Sequence, residues 1–357
     1  MRDDPENLRE TKTSAMSDIM WRSRSSEVIL LCVALISLAC VILSYTTKPN
    51  QLIKWLPAKS LSVGNSSTKC TDLIKEPPQL DTILQRADMG NKTVIITTLN
   101  QAWATPNSMI DLFLETFHTG EETSRLLNHL VIVALDQKAY NRCISIHPHC
   151  FILKTEGIDF SGEKLFMTDD YLKMMWRRID FLRTVLEMGY SFIFTDADIM
   201  WLRNPFDHFK TDADFQIACD RYNGKPTDLK NTANGGFNYV RSNNRTIQFY
   251  RYWYSSHEFY PGKHDQDVLN SIKHNKEIRR IGLSMRFLDT RYFGGFCEPR
   301  KDFTKICTMH ANCCIGLSNK LHDLRIMLAD WRNFQSLTVQ ERLAQKPLWR
   351  TPMQCKI

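Results

Sequence analysis

The chain has 357 residues, 43% of them hydrophobic and 24% charged, with a formal net charge of +7. That length holds one large α/β domain or two small ones, and the composition is that of a globular protein rather than a disordered or collagen-like one. The basic excess contains no arginine-rich run, which argues against a nucleic-acid-binding tail, and is compatible with an acidic acceptor.

The first element in chain order is Val28 to Leu43, VILLCVALISLACVIL, uncharged and extendable to Tyr45. At ~1.5 Å per residue it spans roughly 24 to 27 Å, suited to a thin early-secretory bilayer. A cleaved signal peptide is the rival, but the charged region before it would be 27 residues long. The reading is therefore a retained transmembrane anchor over 28–45 behind a cytosolic tail, 1–27. Glycosylation sequons at Asn65, Asn91 and Asn244 all follow the anchor and argue for a lumenal remainder. Residues 46–90, with Pro49, Pro57, Pro77 and Pro78, read as a lumenal stem with a helix around Leu80 to Arg86.

A globular domain is expected over 91–345, followed by a C-terminal tail, 346–357. Thr93 to Leu99 (TVIITTL) and His129 to Leu135 (HLVIVAL) have the β-branched, apolar character of buried strands, with helical spacing between them over Met109 to Thr119. Lys164 to Met188 is the longest predicted helix, with Leu172, Met175, Ile179, Leu182 and Leu186 as its buried stripe. Ser191 to Phe194 follows as a strand without polar alternation. Further strands are expected near Phe215 to Cys219, Gly236 to Val240 and Arg286 to Leu288, with a helix around Thr246 to Ser256. The alternation predicts a mainly parallel sheet with helices on both faces.

The chain contains three Asp-x-Asp triplets. Asp212-Ala213-Asp214 precedes its apolar run and reads as a turn. Asp265-Gln266-Asp267 opens a helical stretch and reads as acidic capping. Asp196 and Asp198 alone lie at the carboxyl end of a buried strand, where open α/β sheets bind ligands. Eleven cysteines are present, Cys32 and Cys40 within the anchor, leaving an odd number beyond it. Cys143 and Cys150 could close a loop around His147-Pro148-His149. Cys307, His310, Cys313 and Cys314 have a spacing that also admits a structural zinc site.

Four separated stretches, WRRIDFLRTVLEMGYSFIFTDADIMWLRNPF, NGGFNYV, HDQDVLN and CTMHANCCIGLSNK, resemble the plant nucleotide-diphospho-sugar transferases akin to glycosyltransferase family 77, with a GT-A fold. The resemblance implies a divalent ion, Mn2+ or Mg2+, held by Asp196, Asp198 and His310, with Asp196 also touching the donor ribose. It implies donor contacts from Thr98, Asn100, Arg178 (or Arg177), Asn234, Gly236 and Lys320. Asp265 and Gln266 would stand beside the reacting anomeric carbon. The ion answers a chemical need, because a nucleoside diphosphate leaves only when its growing negative charge is neutralised.

The function so implied is a single-pass type II Golgi glycosyltransferase. It would move a pentose such as xylose or arabinose from a UDP-sugar to a cell-wall polysaccharide or glycoprotein, retaining configuration. Two other readings are a non-catalytic lumenal nucleotide-sugar-binding protein of the same fold and an aspartate-nucleophile phosphatase. In the phosphatases the carboxylate pair follows the first core strand, whereas two strands and a long helix precede it here.

Overall fold

The computed structural model describes residues 78–299, 302–345 and 348–355. The expected anchor, the cytosolic tail, most of the stem and Asn65 lie outside the described residues. Among the described residues no helix is long and apolar enough to cross a membrane.

The described residues form ten strands in chain order: β1 (Thr93–Leu99), β2 (Leu130–Ala134), β3 (Cys150–Ile152), β4 (Ser191–Thr195), β5 (Ile199–Trp201), β6 (Phe215–Arg221), β7 (Thr232–Val240), β8 (Met285–Phe287), β9 (Phe293–Gly295) and β10 (Thr308–His310). Seven form the central sheet, in the order β3-β2-β1-β4-β7-β6-β8, and β5-β10-β9 form a small second sheet. All neighbours in the large sheet are parallel except β7, which runs against both β4 and β6. The chain winds outward from β1 through β2 to β3, then returns to the other side of β1 with β4. A topological switch point therefore lies between β1 and β4, and the crevice beyond their carboxyl ends is the expected place for a ligand.

The central strands are buried on both faces. Along β1, Ile95 and Leu99 join one core while Val94 and Ile96 join the other, and β4 repeats this with Ile193 against Phe192 and Phe194. The first core receives Phe113 and Phe117 of α2 (Met109–Thr119). The second receives Ile83 and Leu84 of α1 (Leu80–Ala87). Each such side chain contributes about 1.5 to 3 kcal/mol by leaving water.

The predicted long helix is α4 (Asp169–Glu187), which follows α3 (Gln137–Ile146) and buries Ile179, Leu182 and Leu186 against the sheet. It starts five residues later than expected. Met167 adopts φ 66°, which breaks the helical path, and the Thr168 hydroxyl caps the first turn by accepting from Tyr171 N. Asn243 and Thr246 form a reciprocal cap at the start of α5 (Asn244–Ser255), and His264 caps α6 (Asp265–Ile272).

Two further features complete the described fold. The 20-residue α7 (Leu317–Ser336) packs Leu324, Met327, Leu328 and Trp331 onto the first core. The segment expected as a C-terminal tail is packed as well: Trp349 is 1% exposed, and Cys355 is bonded to Cys314. Disulfides also join Cys143 to Cys150 and Cys297 to Cys313, while Cys219 and Cys307 are free and buried. These pairings remove the zinc alternative, because Cys313 and Cys314 are each bonded elsewhere and Cys307 is a buried thiol.

Candidate active site

A cleft of about 680 Å³ opens at the switch point. Asp196 and Asp198 stand on the turn between β4 and β5, fixed by Asp196 N donating to Gly236 O at 2.7 Å and Ile199 N to Asp196 O at 3.2 Å. β10 pairs antiparallel with β5, and its register sets His310 opposite Ile199, next to Asp198. The imidazole Nε2 lies 3.2 Å from Asp198 Oδ1 and 3.9 Å from Asp196 Oδ2. Lys320, on the first turn of α7, brings its Nζ to 2.5 Å from Asp198 Oδ2 and 3.0 Å from Ala311 O.

Burial alone would raise the pKa of Asp198, but Lys320 and His310 outweigh it and hold the carboxyl well below the usual range. Burial and the neighbouring Asp198 charge raise Asp196 despite its contact with Arg178. Asp198 Oδ1 is buried and, among the described residues, accepts no well-aligned hydrogen bond. Two carboxylate oxygens and one imidazole nitrogen lie within 4.8 Å of one another. A hard divalent cation fits this set, since it would satisfy the orphaned oxygen together with the other two ligands.

Arg178 projects from α4 with its guanidinium over the Phe194 ring, 4.8 Å from the centroid. Nη1 donates to Asp196 Oδ1 at 2.8 Å and Nη2 to Asp265 Oδ2 at 2.7 Å. Burial opposes ionisation of Asp265, yet Arg178 and His264 depress its pKa to about 2. Arg177 instead pairs with Asp180 and Thr155, so Arg178 is the arginine of the cleft.

Gly235 and Gly236 let the backbone of β7 approach these groups. A Cβ on Gly236 would stand 2.5 Å from His310 Cε1 and 2.7 Å from Asp196 Oδ2, closer than atoms can pack. Gln266 accepts from Gly235 N at 2.9 Å, and Asn234 accepts from Gly236 N at the same distance. Thr98 and Asn100 also line the cleft. Asn100, expected at the nucleotide, gives both amide hydrogens to Phe160 O and Gly162 O, and its oxygen accepts from Trp103 N. It therefore staples the loop after β3 to the end of β1.

The cleft thus gathers Thr98, Asn100, Arg178, Asp196, Asp198, Asn234, Gly236, Asp265, Gln266, His310 and Lys320. Asp214 of the second triplet lies elsewhere, bound to Arg245, Asn243 and Ser284 N. Asn91 and Asn244 are exposed. Sequence reasoning missed Asp220 and Asn312, which both line the cleft. The signal for Asp220 was present, a carboxylate directly after the apolar run of β6, the same pattern that exposed Asp196.

A doubly wound sheet whose switch point carries a metal-fitting carboxylate pair, with cations and a glycine floor beside it, has the architecture of a ligand-binding cleft at the carboxyl ends of its strands. A match to the nucleotide-diphospho-sugar transferase family covers residues 125–324, and the chain belongs to that family. It is accordingly a nucleotide-sugar-dependent glycosyltransferase, which sets aside the phosphatase reading. An uncharacterized protein of Arabidopsis thaliana is 55% identical over 278 residues, covering 78% of this chain and 73% of that one. A second uncharacterized Arabidopsis thaliana protein is 41% identical over 283 residues, covering 78% and 83%. UDP-D-xylose:L-fucose alpha-1,3-D-xylosyltransferase 3 of the same plant is 23% identical over 156 residues, covering 43% of this chain and 39% of that one.

Proposed function

We propose that this glycosyltransferase is a type II Golgi enzyme that moves a pentose from a UDP-sugar to a cell-wall polysaccharide or glycoprotein, with Mn2+ and with retention of configuration. The observation that carries the reading is the convergence of Asp196, Asp198 and His310 beside Lys320 at the switch point. The pentose draws on the xylosyltransferase among the relatives. The Golgi lumen draws on the apolar run before the domain and the sequons after it.

In this mechanism Asp196, Asp198 and His310 would hold the divalent ion, which would supply charge neutralisation to the departing diphosphate. Lys320 adds positive charge beside the same carboxylates. The reaction breaks the bond between the anomeric carbon and the β-phosphate oxygen and forms one to an acceptor hydroxyl oxygen. Asp265, kept ionised by Arg178, sets a negative charge facing the positive character that develops on the anomeric carbon. Its Oδ2 is held by the buried Arg178 guanidinium, so in this reading Asp265 carries charge and leaves the acceptor proton to another group. That proton goes to the departing phosphate oxygen, on the same face of the sugar, and retention follows.

The test is a panel of UDP-sugars offered to the full-length protein with Mn2+, reading released UDP. UDP-xylose or UDP-arabinose should give the fastest release. A rate no higher than that of Asp198→Asn with every donor would overturn the reading. Endoglycosidase treatment should increase gel mobility if the domain is lumenal, and no shift together with protease sensitivity of the domain in intact microsomes would reverse the orientation.

A further inference from the structure

Asp220 lies near the end of β6, and its carboxylate gathers side-chain amides from three parts of the chain. Oδ1 accepts from Asn234 Nδ2 and from Asn312 Nδ2, both at 2.7 Å, and Oδ2 accepts from Gln266 Nε2 at 2.8 Å. Each amide is also fixed at its oxygen. Gln266 Oε1 accepts from Gly235 N at 2.9 Å, Asn234 Oδ1 from Gly236 N at 2.9 Å and Asn312 Oδ1 from Cys297 N at 3.1 Å.

A carboxamide has a donor end and an acceptor end, and rotating it by half a turn exchanges them. Flipping any of these amides would set N–H against backbone N–H and oxygen against carboxylate oxygen. An ionised carboxylate only accepts, so the ring of contacts has one self-consistent arrangement. Each amide nitrogen keeps one further hydrogen for a ligand oxygen.

We propose that Asp220 is a positioning residue that acts through Gln266, holding its carboxamide in the single orientation the cleft requires. The inference rests on the reading that places Gln266 beside the reacting sugar. Asp220→Asn tests the polarity of the site with little change in volume. The oxygen of the introduced amide could still accept from Asn234 and Asn312, but its amino group would face Gln266 Nε2, donor against donor. Gln266 cannot escape by flipping, because its amino group would then meet Gly235 N–H.

The experiment is a mutant cycle in the full-length protein, with UDP-xylose and Mn2+ as the probe, UDP release as the rate and calorimetric UDP binding as a check on the rest of the cleft. Asp220→Asn should lower kcat at least tenfold with the UDP Kd within twofold of wild type. In a Gln266→Ala background the same change should lower kcat less than twofold, since its target is gone. Equal losses in both backgrounds, or no loss in the first, would overturn the role of Asp220. A Gln266→Ala enzyme as fast as wild type, or a wild type inert toward UDP-xylose, would instead overturn the reading on which the inference rests. If Asp220→Asn lowers Tm, the swap Asp220→Asn/Gln266→Glu should recover it. In the swap the introduced amide donates to the introduced carboxylate, while Gly235 N keeps its acceptor. A swap no more stable than the single variant would overturn the orientation argument.

Discussion

Arg178 and Asp265 form a buried pair in which Nη2 donates to Oδ2 at 2.7 Å, with side chains 5% and 2% exposed. The other arm of the same guanidinium holds Asp196, so one cation ties together two carboxylates that line the cleft.

A lysine cannot reproduce that fork, since it is a point charge on a flexible stem. Arg178→Lys leaves one of the two carboxylates without its partner, and loss of a partner from a buried pair destabilises by about 3 to 5 kcal/mol. Urea unfolding should show a loss of this size together with a large fall in turnover. A stability change under about 1 kcal/mol, the range of exposed pairs, would show that the pair is open to solvent.

The glycine pair on β7 gives a graded test. Gly236→Ala drives a methyl into His310 and Asp196 and should weaken Mn2+ binding at least tenfold. Gly235→Ala places its methyl 3.3 Å from Asp265 Oδ2, a tight contact that a small shift relieves. Its effect on Mn2+ binding should stay within about threefold, a free-energy difference of roughly 0.7 kcal/mol. Equal effects in a metal titration would mean that the β7 backbone is looser than its packing implies.

Two of the three Asp-x-Asp triplets are separated by single substitutions. Asp198→Asn removes a ligand charge without changing volume and should cut metal-dependent turnover by about two orders of magnitude or more, with an unchanged circular dichroism spectrum. Asp212, exposed on a turn, should tolerate Asn at near wild-type rates. Comparable damage from both changes would relocate the site.

Asp323 on α7 supplies the pH-dependent prediction. It is fully buried and accepts from the backbone N–H groups of Met353, Gln354 and Cys355 at 2.8 to 3.1 Å. Burial works against its charge, but these donors and His322 prevail and depress its pKa below the ordinary 3.8. Stability from a depressed carboxyl is fully present above the unfolded value and is lost as pH falls through the folded one. Asp323→Asn should therefore destabilise by about 2 to 3 kcal/mol at pH 7. The gap to wild type should narrow as pH drops below 3.8, read from urea midpoints. A gap independent of pH would assign the loss to packing.

The sequence announced those parts of the site where local pattern and tertiary role coincide. Asp196 and Asp198 were visible because charge abruptly follows a run that must be buried, and α2 was bounded correctly by its apolar spacing. α7 was not visible, since its buried stripe includes the charged Asp323 and its first turn follows Gly316, which offers no capping side chain. The partners of Cys313 and Cys314 were equally hidden. Adjacent cysteines look alike in sequence, and only the fold brings Cys297 to one and Cys355 to the other. Asp220 was legible by the rule that found Asp196, but its importance depends on amides supplied by distant segments.

The charge inventory of the cleft has a kinetic consequence. Asp196, Asp198, Asp220 and Asp265 line it together with Arg178 and Lys320, while Glu163 and Lys164 offset one another, so acidic side chains outnumber basic ones. A diphosphate arriving first would enter a negative field, where each unscreened like-charge contact near 4 Å opposes it by about 4 kcal/mol at an effective dielectric of 20. A divalent cation arriving first would be attracted, and the same groups would then offer a receptive surface for phosphate. Ligand entry is thus expected to be sequential, ion before nucleotide. Calorimetry should register UDP binding only after Mn2+ has been added, whereas Mn2+ should bind alone.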